Sequence, residues 1–433
     1  MGRPGCGQTS TTLDVRSGDH NAADPRCQKG WGPMSTSTTS EIYYDPYDVD
    51  LNLDPYPVFR RLREEAPLSY NAEQDFYALS RYSDVQEALH DHHNLSSARG
   101  NILELIKANL PVPPGMFVME DPPTHDIYRK ALSRMFTPRK MREIEQIARD
   151  FCALSLDPLV GAGEFDFIAN LGAEMPMRVI CALLGIPDAM QQAVRELSDS
   201  HVNTEAGGSM QSASSGYETG ALFAEYVDWR AKNPSTDIVT EMMNTEITDV
   251  NGEKRLLTKD ELLVCIVQVA FAGSETTTRL IGWAGKVLSE HPDQRRELAA
   301  DRSLIPNAVE ELMRFEAPAP HIARYVVNDM QYYGQTVPAG SNMLLIAGAA
   351  NRDHRQFPPD GDVFDIHRKA SAHLGFGIGV HYCIGASLAR MEGRVAIDEI
   401  LNRFPEWHID MTRARMVTTS TVRGWEALPA LVP

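Results

Sequence analysis

The chain has 433 residues, 43% of them hydrophobic, and a formal net charge of -18. That length supports a core large enough to enclose a cofactor together with a substrate, and the acidity argues against a nucleic-acid partner. No apolar run reaches the roughly 18 residues that a membrane-spanning helix needs, and the N-terminus lacks the apolar centre of a signal peptide, so a cytoplasmic monomer with no membrane partner is expected. In chain order, residues 1 to about 40 are rich in Gly, Ser, Thr, Asp and Pro without periodicity and are expected to be disordered, with Met34 a second possible start. Residues 41–433 are expected to form a single domain. Pro55-Tyr56-Pro57-Val58-Phe59 opens a helix, and Phe76-Tyr77-Ala78-Leu79-Ser80 predicts a strand of a small N-terminal sheet.

Residues 95–118 carry proline and glycine at both ends around the amphipathic patch Ile102-Leu103-Glu104-Leu105-Ile106, as a lid or cavity wall does. From Pro122 to about residue 315 the period is helical, broken at Gly207-Gly208-Ser209 and by a turn at Asp249-Val250-Asn251-Gly252. Strand patterns follow over residues 320–350, and Arg423-Gly424-Trp425 predicts a turn into a last strand. There is no internal repeat. The expected class is mainly α with minor β.

Six cysteines, at 6, 27, 152, 181, 265 and 383, show no paired spacing, so neither a disulfide framework nor covalent c-type haem attachment is expected. Cys152, Cys181 and Cys265 sit among apolar neighbours as small core residues. Cys383 differs. It lies in Phe376-Gly377-Ile378-Gly379-Val380-His381-Tyr382-Cys383-Ile384-Gly385, at the N-terminal end of the stretch Ile384 to Glu392, which reads as a helix. Glycines let backbone approach a flat cofactor, and a helix N-terminus favours a thiolate. A lone thiolate without zinc-spaced partners suits an axial ligand of haem iron.

Four constellations support it. In Ala272-Gly273-Ser274-Glu275-Thr276-Thr277, inside the most apolar helix, Gly273 leaves room for a flat group. Thr276 can bond a carbonyl one turn back, and an acid beside a hydroxyl suits proton delivery to oxygen. Glu311 and Arg314 share a helix face at i, i+3 and could be bridged by Arg368, a structural set. His125 and Arg129, at i, i+4, offer two donors for an anion such as a haem propionate. Arg324, after Pro318-Ala319-Pro320-His321, could meet a second propionate, as could His381.

Together these motifs resemble the cytochrome P450 family, from about Tyr43 to the end of the chain, and the soluble form looks like its bacterial branch. The resemblance implies a triangular, mainly helical domain with small N-terminal and C-terminal sheets, and haem b between the acid–threonine helix and the cysteine loop. Cys383 would be the iron ligand and Glu275 with Thr276 the oxygen-activating pair. Ala272, Gly273, Phe376, Gly377 and Gly385 would lie against the cofactor, with His125, Arg129, Arg324 and His381 on its propionates. It further implies a monooxygenase acting on O2 and an apolar small molecule (fatty acid, terpenoid, steroid or polyketide), supplied with electrons by a ferredoxin and ferredoxin reductase. Substrate contacts would come from Phe117, Val269, Phe271, Ile322, Ala323, Thr421 and Val422. The basic run Arg129, Lys130, Arg134, Arg139, Lys140, Arg142 would dock an acidic ferredoxin if it lies on the cysteine side. A peroxide-using haem-thiolate enzyme would not usually keep the acid–threonine pair, and a haem sensor would need no proton relay. Two departures are small: Glu275 stands where aspartate is also common, and His354 where many relatives have proline.

Overall fold

Thr258 starts the helix around which everything else is arranged. Its hydroxyl accepts from Glu261 N–H while the Glu261 carboxylate accepts from Thr258 N–H, a reciprocal cap that closes the first turn of Lys259–Glu290. At 1.5 Å per residue this helix is about 48 Å long. Apolar residues occupy most of its circumference, so it is buried by neighbours on several sides. Met175–Leu184, Ala386–Arg403 and Ser215–Lys232 pack on it. The computed structural model describes residues 42–433 apart from 188, 192–214 and 371. The expected disordered extension, Cys6, Cys27, Met34 and the break at Gly207-Gly208-Ser209 lie outside the described residues.

The cap carries a pH dependence. Burial alone would raise the Glu261 carboxyl, but hydrogen bonds from Arg255, Tyr128 and Thr258 outweigh it and bring it from 4.5 to about 2. A depressed native value contributes stability above the ordinary value that is lost as pH falls through the native one. Acid titration of unfolding should therefore show a loss between about pH 4.5 and 2 that Glu261→Gln flattens.

Helices dominate, and the sheets are small. The largest runs Leu68–Asn71, Phe76–Leu79, Asn342–Leu345, Ile322–Val326, Leu95–Ser96 in spatial order. Its pairings are antiparallel except that Phe76–Leu79 and Asn342–Leu345 run parallel, with Met343 opposite Tyr77. A C-terminal sheet sets Pro429–Leu431 between His408–Ile409 and Glu164–Asp166. The expected helix after Pro55 is Tyr56–Glu65, and the predicted turn at 249–252 joins the hairpin Glu246–Thr248 and Lys254–Leu256. The stretch 95–118 is less loop-like than expected: its amphipathic patch folds as the helix Leu103–Ala108, which buries Leu103 and Ile106. Likewise the end of the 320–350 strand region turns helical at Ala347–Ala350. Cys152, Cys181 and Cys265 are buried.

The Glu311, Arg314 and Arg368 set ties the helix Ile305–Phe315 to the irregular segment before the cysteine loop. Glu311 and Arg314 are fully buried, and Arg314 donates to both Glu311 oxygens at 2.6 Å. Its remaining hydrogens reach the carbonyls of Asn351 at 2.8 Å and Gly361 at 2.7 Å. Arg368 stands 3.4 Å from Glu311 and donates to the Pro358 and Asp360 carbonyls. Breaking such a pair leaves an uncompensated buried charge. Arg314→Leu is expected to lower stability by about 3–5 kcal/mol in chemical denaturation.

Candidate active site

The segment 376–385 wraps around the Cys383 sulfur because its backbone closes on itself. Cys383 N–H donates to the Phe376 carbonyl at 2.8 Å, and Gly377 at φ +64° makes the turn between them, a conformation costly for any side chain. The following helix begins at Ala386, so the sulfur lies just before its N-terminus. Burial pushes the Cys383 thiol up, against the Gly385 N–H, Arg129 and Arg390, which pull it down. The helix end expected to favour a thiolate is therefore outweighed by desolvation, and a cation at the sulfur is what would tip it.

Facing the sulfur is a cavity of about 320 Å³ between the cysteine loop and the middle of the long helix. Cys383, Phe376, Gly377 and Gly385 form one wall; Val269, Ala272, Gly273 and Thr276 form the other. The hydroxyls of the helical wall bond back to it: Thr276 donates to the Ala272 carbonyl at 2.8 Å and Thr277 to the Gly273 carbonyl at 3.2 Å. A Cβ on Gly273 would stand 2.7 Å from Ile180 Cδ1, so the space it frees is shared with the neighbouring helix Met175–Leu184.

At the edge of the cavity Arg129, Arg324 and His381 come together. The His125 ring meets that of His381 at 4.5 Å, edge to face, although His125 does not itself line the cavity. Neither ring Nε2 has a hydrogen-bond partner, although both are buried. Burial first, then Arg324, His125 and Arg129, push His381 down to about 3. Burial brings Arg324 down to about 10, only partly offset by Asp121. Two guanidinium groups and two unpartnered imidazole nitrogens in a buried corner call for a carboxylate-bearing ligand. With a lone cysteine across a flat, glycine-lined slot, the donor set fits the iron and the two propionates of haem b.

Several expected contacts do not reach the cavity. Ile322 and Arg324 point into it, and because neighbours on a strand alternate, Ala323 points the other way, into a core with Phe59 and Leu344. Phe271 lies off the helical stripe that Val269, Ala272 and Thr276 share. Thr421 and Val422 are half-buried and do not line the cavity, with Thr421 engaged with Thr419 at 3.1 Å. Glu275 accepts from Arg279 one turn on, and Arg279 also donates to the Trp425 carbonyl. The carboxylate is thus turned toward the C-terminal hairpin and does not line the cavity. Phe117 and Val269 line it as expected.

Sequence reasoning missed Ile180, Gln268 and Glu392, all of which line the cavity. Gln268 stands one turn before Ala272, so helical spacing could have found it. Glu392 is fully buried beside Thr277, and burial holds its carboxyl well above the ordinary range. Nothing local marks Ile180.

The cytochrome P450 family model matches residues 224–422. Cytochrome P450 130 of Mycobacterium tuberculosis is 34% identical, over 87% of this chain and 94% of its own. The vitamin D(3) 25-hydroxylase of Pseudonocardia autotrophica is 33% identical, over 92% of this chain and 98% of its own. The solved structure of cytochrome P450 CYP109Q5 from Chondromyces apiculatus superposes with a TM-score of 0.80 at 33% identity, covering 90% of this chain and 98% of that one. A mainly helical fold, a glycine-turned cysteine loop and full-length relatives agree: the chain belongs to the cytochrome P450 family of haem b monooxygenases.

Proposed function

We propose that this monooxygenase inserts one oxygen atom from O2 into an apolar small molecule, the other leaving as water, with electrons from a ferredoxin and its reductase. The observation that carries the substrate class is the apolar lining of the cavity, which includes Phe117, Val118, Ile180, Val269 and Ile322. The relative named as a vitamin D(3) 25-hydroxylase supports the steroid-like end of that class. Fatty acids, terpenoids and polyketides share the required apolarity. No helix among the described residues is long and apolar enough to cross a membrane.

When bound, haem b supplies the iron at which oxygen is reduced and cleaved. The protein's part is divided among its own residues. Cys383 would ligate the metal, with Phe376, Gly377, Gly385, Ala272 and Gly273 against the ring. Arg129 and Arg324 would neutralise the propionates, and His381, with His125 behind, would donate a hydrogen bond to them. Thr276 holds a proton at Oγ1 over the cavity. Glu275, on leaving Arg279, would take up a proton from solvent and pass it to the threonine side of the helix, and the apolar walls exclude bulk water.

Supporting the docking role of the basic segment, Arg129 Nη2 donates to the Tyr382 carbonyl, next to Cys383, at 2.5 Å. Lys140 pairs with Glu241 and Arg139 with Glu143, so Lys130, Arg134 and Arg142, all exposed, are the better candidates to meet an acidic ferredoxin. One set of measurements tests the reading. The reduced, carbon monoxide-bound enzyme should absorb at the wavelength that gives the family its name. Vitamin D3 and lauric acid are the first ligands to screen for a spin-state shift. Arg134→Glu should slow reduction by ferredoxin about tenfold at low salt without changing ligand affinity. Product formed equally well from hydrogen peroxide alone would overturn the electron-supply reading.

A further inference from the structure

On the long helix, Glu261, Cys265, Gln268 and Ala272 follow one another at i, i+4, i+7 and i+11, so they lie on a single stripe. Only Ala272 and Gln268 of these line the cavity, while Cys265 and Gln268 also meet the segment 115–118, which roofs it. Gly115 sits directly on the helix: at φ +96°, a Cβ there would stand 3.0 Å from the Glu261 carbonyl. Its own carbonyl accepts from Gln268 Nε2 at 3.1 Å and faces Cys265 Sγ at 3.6 Å. Three residues on, Val118 N–H donates to Gln268 Oε1 at 3.2 Å.

One amide therefore uses both its ends on the roof, with its side chain buried and only 8% exposed. Between the two anchoring points stands Phe117, whose ring is buried and forms the cavity wall together with Val118. An amide supplies a donor and an acceptor a short distance apart without carrying charge. A leucine would leave the Val118 N–H unpaired inside the protein and the Gly115 carbonyl with only Phe117 N–H at 2.9 Å and Cys265, and the roof would have to move to satisfy Val118.

We propose that Gln268 is a specificity-determining residue: by clamping Gly115 and Val118 it sets how far Phe117 stands over the cavity, and so the size of apolar molecule admitted. This rests on the reading of the cavity as the substrate site. Phe117 held in place favours a slender ligand over a broad one. Releasing the clamp enlarges the space and shifts preference toward the broad one.

The test compares the parent holoenzyme with Gln268→Leu and with Gln268→Glu, which keeps the acceptor for Val118 but loses the donor to Gly115. Amide exchange is read over residues 115–120 in the ligand-free ferric protein, and thermal melting controls for folding. Lauric acid and vitamin D3 are titrated by spin-state shift as the slender and broad probes. Gln268→Leu should exchange about tenfold faster at Val118 and shift the affinity ratio toward vitamin D3 at least about fivefold. Gln268→Glu should fall between the two. Unchanged exchange, or faster exchange with the same affinity ratio in all three proteins, overturns the clamp alone. Absence of a spin shift with either probe in every protein overturns the substrate reading of the cavity and this proposal with it.

Discussion

Cys383→Ser is expected to remove the thiolate signature and to lower product formation by about 10³-fold or more, roughly 4 kcal/mol of barrier. The loop that presents the sulfur does not depend on it. Its closure rests on the hydrogen bond from Cys383 N–H to Phe376 O and on the Gly377 turn, both of which serine retains. Arg390, one of the cations acting on the sulfur, also keeps its place, since it donates to Glu310 at 2.6 Å. The variant should therefore fold and its melting temperature should stay close to the parent's. What it loses is a soft, electron-rich ligand, because an alcohol is far less readily deprotonated than a thiol. The checks are the absorption of the reduced carbon monoxide complex and the product yield. A thiolate-type spectrum surviving in Cys383→Ser would mean that another group ligates the metal.

Thr276→Val should separate oxygen consumption from product. Valine keeps the branched shape and the χ1 preference of threonine, so the helix wall stays in place while the hydroxyl is lost. Oxygen uptake continues, but product per oxygen is expected to fall about tenfold or more, with the balance recovered as hydrogen peroxide. Glu275→Gln should behave differently. Its carboxylate is held by Arg279 off the cavity, so it cannot shape the place where the proton is delivered and can only govern how fast a proton arrives. Slower oxygen uptake with nearly parental coupling is the expected result, and it is read from the same oxygen, peroxide and product measurements. If Thr276→Val stayed coupled, the proposed role of its hydroxyl would be wrong.

Much of the chemistry was legible because it is local. The turn around Cys383, the hydroxyl beside a glycine in an apolar helix, and Glu311 three residues before Arg314 each declare themselves within a few residues of chain. Periodicity likewise placed the helix after Pro55 and the strand Phe76–Leu79. It was less informative for 95–118, where a six-residue helix is stabilised by tertiary burial of Leu103 and Ile106 rather than by its own propensity. Facing was the weaker inference. Ile322 and Ala323 were expected to share a wall, and the pleat sends them to opposite sides. Glu275 and Thr276 are adjacent in the chain, yet about 100° of helical turn and the pull of Arg279 separate their directions.

By itself, then, the sequence determined the turn around Cys383, the place of Thr276 in its helix and the family, since a cysteine turn and a helix motif are written in consecutive residues. Tertiary structure alone decided the shape of the cavity. Gln268 meets Gly115 across 153 positions, and Arg279 reaches Trp425 across 146. Such pairs are set by which helix face meets which loop once the core has closed, and no local spacing encodes that.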